Sequence, residues 1–489
     1  QALLSLVFLA GQAWRMTDAI VRTVFRLFLS HRHLLEWTTS AQSSGSPRLA
    51  WTGFYRLMTA GVVLAIGVSG LTLLGTPTAW PLVLPVSLLW LLAPLVAYWT
   101  SRPPDLARQM SCTPAQAAEL RLVARQTWRY FETLVTDLDN QLPPDNVQES
   151  PQEVIAHRTS PTNMGLYLLS ALAANDFGWA GCCATLTRLE TTLAVMQRLP
   201  RFKGHFFNWY DTRSLLTLEP AYVSSVDSGN LAGHLLVVAT GCDRWQQQAG
   251  DGAICSGILD TCLLAEQALQ AYAMKEGGQV QARGASLKEI RGQLARPLSA
   301  THQLPVLARL TVQASHTAHQ LDLQACQREG EELLFWLEAL KRVVAEHLQD
   351  QAADPEMRQR RLHALGAQAR APAMGLDFGP LLNEERRLPS IGYSLSDNRL
   401  DGSCYDLLAS EARLASLFAI AKGDIVTSHW FRLGRAATPL GTGAALISWS
   451  GSMFEYLMPA LVMRAPVGSQ LEQTSRLIVD AQIRYGHAL

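Results

Sequence analysis

The densest group of chemically capable side chains lies at 204–233, GHFFNWYDTRSLLTLEPAYVSSVDSGNLAG. Phe206, Phe207, Trp209 and Tyr210 stand there among His205, Asn208, Asp211 and Arg213, and Asp227, Ser228 and Asn230 follow. A pyranose ring presents an apolar C–H face that packs on an aromatic ring, and a rim of hydroxyls that needs fixed donors and acceptors. Aromatic faces beside carboxylates and amides therefore have the composition of a sugar-binding cleft. Asn208, Trp209, Tyr210, Asp211, Arg213, Asp227 and Asn230 are the candidate binding residues of this stretch. The same residues also read as core aromatics followed by a helix N-cap at 227–230, and the two roles are compatible.

Two further stretches supply carboxylates. RLDGSCYDLLASEARLASLFAIAKGD (399–424) sets Tyr405, Asp406 and Glu411 ahead of an apolar helix, with Glu411 between Ser410 and Ala412 among small side chains. Burial there would raise the carboxyl pKa and suit a general acid, whereas a charged neighbour such as Arg413 would hold it ionised as a nucleophile. A helix-surface ion pair is the structural alternative. SHWFRLGR (428–435) and ISWSGSMFEYLMP (447–459) add Trp430 and Trp449 as stacking surfaces and Arg432 as a donor. Glu455, at a helix start, reads either as a partner of the helix dipole or as a catalytic or supporting carboxylate. Glycoside chemistry needs two carboxyl groups flanking the anomeric carbon; Glu411, Glu455 and Asp406 are the catalytic candidates. In LPPDNVQE (142–149) and AHRTSPTNMGLY (156–167), Arg158 and Asn163 are candidate donors to an uncharged polyhydroxy ligand, and Ser160 is placed to cap a helix starting near Asn163.

Other chemistries find no support. No phosphate-cradling G-x-x-x-x-G-K-[ST] or G-x-G-x-x-G element and no D-x-D pair follows a strand, so no nucleotide-sugar site or cofactor is expected in this segment. The eight cysteines include no C-x-x-C pair and no histidines at zinc spacing, so no metal site is expected and the thiols read as reduced. Forty-one basic residues balance 41 acidic ones, which argues against nucleic acid as a partner.

The elements that must position these residues are mainly α-helical. Apolar spacing predicts helices over 114–136, 164–175, 184–198, 230–240, 257–274, 303–317, 330–350, 404–422, 444–462 and 470–485, joined by long loops, an arrangement that fits an (α/α) toroid of paired helices. Before them, 57–74 and 81–99 lack charge and are long enough for a transmembrane hairpin. The run 2–10 reads as the end of another spanning helix, and the basic amphipathic segment after it as one lying at an interface. Arg15, Arg22, Arg26, Arg32, Arg48 and Arg56 before the hairpin and Arg102 and Arg108 after it predict that both flanks, and the soluble part, are cytoplasmic. The expected organisation is a membrane region at 1–102, the N-terminal helical part of the soluble domain at 103–242, a helical insertion or arm at 243–370, and the start of a catalytic part at 371–489. Gln1 lies inside an apolar run and the chain closes on RYGHAL, which reads as a fragment cut at both ends.

Several long motifs in order resemble the cyclic β-1,2-glucan synthases, large bacterial membrane enzymes. HRHLLEWTTSAQ (31–42) resembles the end of the family's membrane glycosyltransferase region. LPPDNVQE, HRTSPTNMGLYLLSALAANDFG, GHFFNWYDTRSL and YVSSVDSGNLAG resemble the start of its cyclisation region. LPSIGYSLSDNRLDGSCYDLLASEARLASLFAIAKGD, SHWFRLGR and SWSGSMFEYLMP resemble its glycoamylase-like domain. The resemblance implies transmembrane helices followed by an incomplete glycoamylase-like (α/α) toroid in the inner membrane of a bacterium. Its partners would be β-1,2-glucan, the lipid bilayer and the rest of the parent polypeptide. The parent would elongate the glucan from UDP-glucose and close it by retaining transglycosylation. Glu411 in LLASEARLAS would be one catalytic carboxylate, with nucleophile as the favoured role, and the second would stand in a W-G-x-S-E-S motif beyond Leu489.

Overall fold

A computed structural model describes residues 2–31, 50–101, 112–246, 251–276, 284–296, 299–319, 327–441 and 443–488. The motif at 31–42 beyond His31, together with Arg32, Arg48, Arg102 and Arg108, lies outside the described residues. The chain divides into two compact units, Gln1–Gln109 and Met110–Leu489.

In the first unit Ala2–Phe25 is one continuous helix, ending in a short π-helical turn, Arg26–Ser30. The run expected to be a separate spanning end and the amphipathic segment after it thus share one helix. The expected hairpin is formed by Thr59–Gly75 and Trp80–Thr100, with Pro77 opening the tight connection between them. One helix, Pro77–Thr100, is long and apolar enough to cross a membrane among the described residues; Trp51–Leu57 and Thr59–Gly75 qualify only as a pair bent by 69°. Cross-helix bonds run from Trp90 Nε1 to the Leu6 carbonyl and from the Tyr55 hydroxyl to that of Leu91, both at 3.1 Å.

The second unit is mainly helical. Pro114–Leu134 starts at a capping box formed by Thr113 and Gln116, and its Arg121, Arg125 and Arg129 fall one turn apart. They meet Asp260, Glu132 and Glu332 in turn, and the fully buried Arg125 guanidinium also lies 5.1 Å from the Trp336 ring centroid. This row joins the helix to Asp251–Glu276 and Gln327–Ala352, which bury a core of their own around Ile258, Tyr272, Trp336 and Val344. The larger core gathers Tyr167, Leu186, Tyr210, Leu235 and Phe378, and a smaller one gathers Leu408, Leu433, Leu446 and Ile478. Pro355–Met374, a helix the sequence pattern does not announce, packs along Ser225–Trp245.

Two expected helices are corrected. The stretch 404–412 is irregular and the helix begins only at Arg413, because Tyr405 and Leu408 donate their backbone N–H groups to Pro389 and Gly434 instead of to helical partners. In place of a helix over 444–462 there is an antiparallel hairpin, Ala437–Leu440 with Gly443–Leu446, then a short helix at Met453–Leu457. Small ladders fasten the loops. The largest joins Tyr222–Ser224, Gly392–Ser394 and Arg399–Leu400.

Pro161–Asp176 starts as the sequence suggests: the Ser160 hydroxyl accepts the Asn163 N–H at 3.1 Å and Pro161 occupies the first turn. Ser160→Ala is expected to lower the stability of the second unit by about 1 kcal/mol, read from the urea midpoint of the tryptophan fluorescence transition.

Candidate active site

Glu411 is set by two helices and a pinned loop. Gly229 on Ser225–Trp245 faces Ala415 so closely that an added Cβ would come within 2.3 Å of the Ala415 Cβ. That approach brings Asn230, one residue on, to Glu411, where its Nδ2 donates to Oε2 at 3.3 Å. The Glu411 carboxyl is pushed up to about 7: burial contributes most, and the negative charges of Asp227 and Glu455 add to it against the Asn230 bond and Arg413. Arg413 forms no ion pair with it. The buried guanidinium donates to the carbonyls of Ser410 and Tyr456, at 3.0 and 2.8 Å.

A polar network runs from Glu411 through the stretches 204–233 and 142–167. Asn230 Nδ2 also donates to Thr162 Oγ1 at 3.1 Å, and Thr162 donates to Asp227 Oδ1 at 2.5 Å. Asp227 stands in the first turn of its helix, whose N-cap is Ser224, and its carboxyl is raised by burial against the pull of the Ser224 and Thr162 bonds. Asn208 donates to Asp227 Oδ2 at 3.0 Å and accepts from Trp209 Nε1 at 3.2 Å. The Arg158 guanidinium lies 4.5 Å from the Trp209 ring centroid and is paired with Asp145 at 2.9 Å, while Asn163 Nδ2 donates to the other Asp145 oxygen at 3.1 Å. Asn230 Oδ1 is buried and has no hydrogen-bond partner among the described residues.

Glu455 is the other carboxylate whose charge reaches Glu411. Its carboxylate accepts the N–H groups of Trp449 and Ser450 and the hydroxyls of Ser448 and Ser450, at 2.8 to 3.0 Å. Burial alone would push its pKa up; the four donors outweigh it and hold the carboxyl below its ordinary value. Glu455 is therefore ionised, buried and saturated, and it shapes the turn that leaves Trp449 about half exposed, with its ring centroid 5.6 Å from that of Tyr405. Tyr405, half-buried, has its hydroxyl pKa raised by burial, then by Glu411 and Asp227.

Six expected site residues stand elsewhere or in other roles. Tyr210 is fully buried, and its hydroxyl donates to the Pro200 carbonyl at 2.6 Å and accepts the Phe207 N–H at 2.8 Å, so it is a core residue with no face to offer a ligand. Asp211 Oδ1 accepts the N–H groups of Arg213 and Ser214 and the Ser214 hydroxyl, and this turn lowers its pKa. Arg213 is exposed and donates to His157 Nε2 at 2.8 Å, which leaves Nδ1–H of His157 to donate to Asp139. Trp430 packs against the smaller core, and Arg432 is exposed, with no hydrogen bond or ion pair among the described residues. The Asp406 carboxylate likewise makes no hydrogen bond among the described residues; its backbone carbonyl fixes Gly434. Thr162 and Asp145, which residue type had not singled out as site residues, are the links of this network, although both lie inside the motifs that drew attention.

No family model matches the chain. Two solved structures share parts of its path. A candidate glucoamylase from Bacteroides caccae, 10% identical, covers 74% of this chain and 65% of its own, with a TM-score of 0.41. A candidate glucoamylase from Bacteroides fragilis, 18% identical, covers 35% of this chain and 40% of its own, with a TM-score of 0.24. In sequence, the chain is 42% identical along all its length to the cyclic beta-(1,2)-glucan synthase NdvB of Rhizobium meliloti, and it spans 18% of that protein. The motif resemblance thus extends from end to end, and the chain is similar over its whole length to one segment of a cyclic β-(1,2)-glucan synthase.

Proposed function

We propose that this chain is the glucan-handling segment of a cyclic β-1,2-glucan synthase, attached to the inner membrane with the second unit in the cytoplasm, and that Glu411 is its proton-transferring carboxyl. The observation that carries the reading is the state of Glu411: half-buried, poised near pH 7, and flanked by Asp227, Asn230 and the Tyr405–Trp449 pair. A carboxyl of that kind keeps its proton long enough to deliver it to a glycosidic oxygen as the C1–O bond breaks, and takes one back from an incoming sugar hydroxyl. This role replaces the nucleophile favoured from the motif, because nothing pairs with Glu411 strongly enough to hold it ionised.

Asp227 and Glu455 are tethered by their own hydrogen bonds and act through charge, sustaining the raised pKa of Glu411. In this reading the second carboxylate that retention requires comes from elsewhere in the parent polypeptide, as does elongation from UDP-glucose. Trp209 and Trp449 offer stacking faces to a sugar ring.

The test is incubation of the full-length parent protein with linear β-1,2-glucan. Cyclising transglycosylation consumes linear chains with no rise beyond the starting reducing ends. A steady rise would identify a hydrolase instead, and unchanged substrate would leave a holding module with no chemistry of its own.

A further inference from the structure

Beside the site lies a hollow of about 320 Å³ to which no role has been given, bounded by Tyr222, Ser394, Arg399 and Asp401. Its floor is the three-stranded ladder. Tyr222 is paired with Ser394, and Ser394 with Arg399, so an aromatic ring, a hydroxyl and a guanidinium stand in one row across the sheet and on one face. The opposite face is apolar and inward: Tyr393 stacks on Phe202 at 5.0 Å, and Leu400 packs on the large core. Gly392 makes room for the row, since a Cβ there would meet the Tyr222 ring at 2.3 Å.

Tyr222 links this hollow to the active site, since its backbone carbonyl accepts the Asn208 N–H at 2.7 Å. Its hydroxyl is pushed up to about 12, by burial and then by Asp401, and it also lies within electrostatic reach of Tyr405, which faces Glu411. Asp401 N–H donates to the Gly392 carbonyl at 2.9 Å and Tyr405 N–H to that of Pro389 at 2.9 Å, so the segment joining the two residues is fastened along the same hairpin. Asp401 spends Oδ1 on the Ser403 N–H at 2.9 Å, and the exposed Arg399 guanidinium makes no hydrogen bond or ion pair among the described residues. An aromatic ring, one guanidinium and two carboxylates, Asp397 and Asp401, around one hollow supply the stacking face, donors and acceptors that a sugar ring with vicinal hydroxyls requires.

We propose that this hollow is a second saccharide subsite, which holds a glucosyl unit of a chain passing over Tyr222 and so makes affinity depend on chain length. The proposal rests on the glucan reading of the active site and deepens it. Binding of sophorose and of a long linear β-1,2-glucan fraction to the full 489-residue chain, measured by calorimetry, tests it. Arg399→Ala and Asp401→Asn are expected each to weaken the long chain about tenfold, about 1.4 kcal/mol, and to leave sophorose unaffected. Arg399 is exposed and Asp401 half-buried, and an unchanged melting curve confirms that the fold is kept. Equal affinity of variant and unaltered protein for the long chain, or equal loss for both ligands, overturns the subsite while the active-site reading stands. Failure of the unaltered protein to bind either ligand overturns both.

Discussion

Glu411→Gln in the full-length protein is expected to lower the rate of cyclic glucan formation by about 10²- to 10⁴-fold, the range associated with loss of a positioned general acid. Retention of glucan binding separates this from unfolding. In the unaltered enzyme the rate should fall as pH rises through about 7, where Glu411 gives up its proton, and in the variant that basic limb should vanish from the residual rate. The stability consequence has the opposite sign. A carboxyl whose folded pKa stands above its ordinary 4.5 contributes fully below that value and loses the contribution as pH rises to about 7. Glutamine carries no charge to desolvate, so at pH 8 the variant should melt higher than the parent sequence, by an amount on the order of 1–3 kcal/mol at most. Thermal unfolding at pH 5 and pH 8 checks the sign: the advantage should be present at the higher pH and shrink at the lower.

Glu455→Ala should be the most destabilising of these changes, about 2–4 kcal/mol, because it strands four donors, the amides of Trp449 and Ser450 and the hydroxyls of Ser448 and Ser450, in a buried turn. The depressed pKa of Glu455 means its contribution is present above the ordinary carboxyl range and is lost as pH falls below it, so the deficit of the variant should narrow in acid. Glu455→Gln separates shape from charge. It keeps an acceptor for part of the turn, and by removing a negative charge near Glu411 it should move the basic limb of the pH–rate profile to lower pH. An unmoved limb with intact folding would mean that the charge of Glu455 does not reach Glu411.

Motif reading drew together residues that the fold also brings together where the parts are local. The Ser160 cap and the small residues around Glu411 are set by neighbours a few positions away and are found, whereas the cap expected at 227–230 lies earlier, at Ser224, and leaves Asp227 in the first turn. It went wrong where residue type was the only guide. Trp209 and Tyr210 are adjacent and chemically alike, yet the strand pairing of Tyr210 with Thr159 turns one into the core, while Trp209 meets Arg158. Asp211 and Asp227 are both carboxylates in polar stretches; one closes its own turn, and the other is drawn in by Thr162 and Asn208 from separate segments.

By itself, then, the sequence determined most of the helical and apolar segments, which motifs hold the polar and aromatic residues, and the similarity to one segment of a cyclic β-(1,2)-glucan synthase, since all of these depend on local spacing or residue identity. Only the tertiary structure decided the state of the carboxylates. Glu411, Asp227 and Glu455 are far apart in the chain; burial and the charges of the other two raise Glu411, burial raises Asp227, and the donors of its turn hold Glu455 low. A pKa is a property of the field at a point in space, and no spacing along the chain contains it.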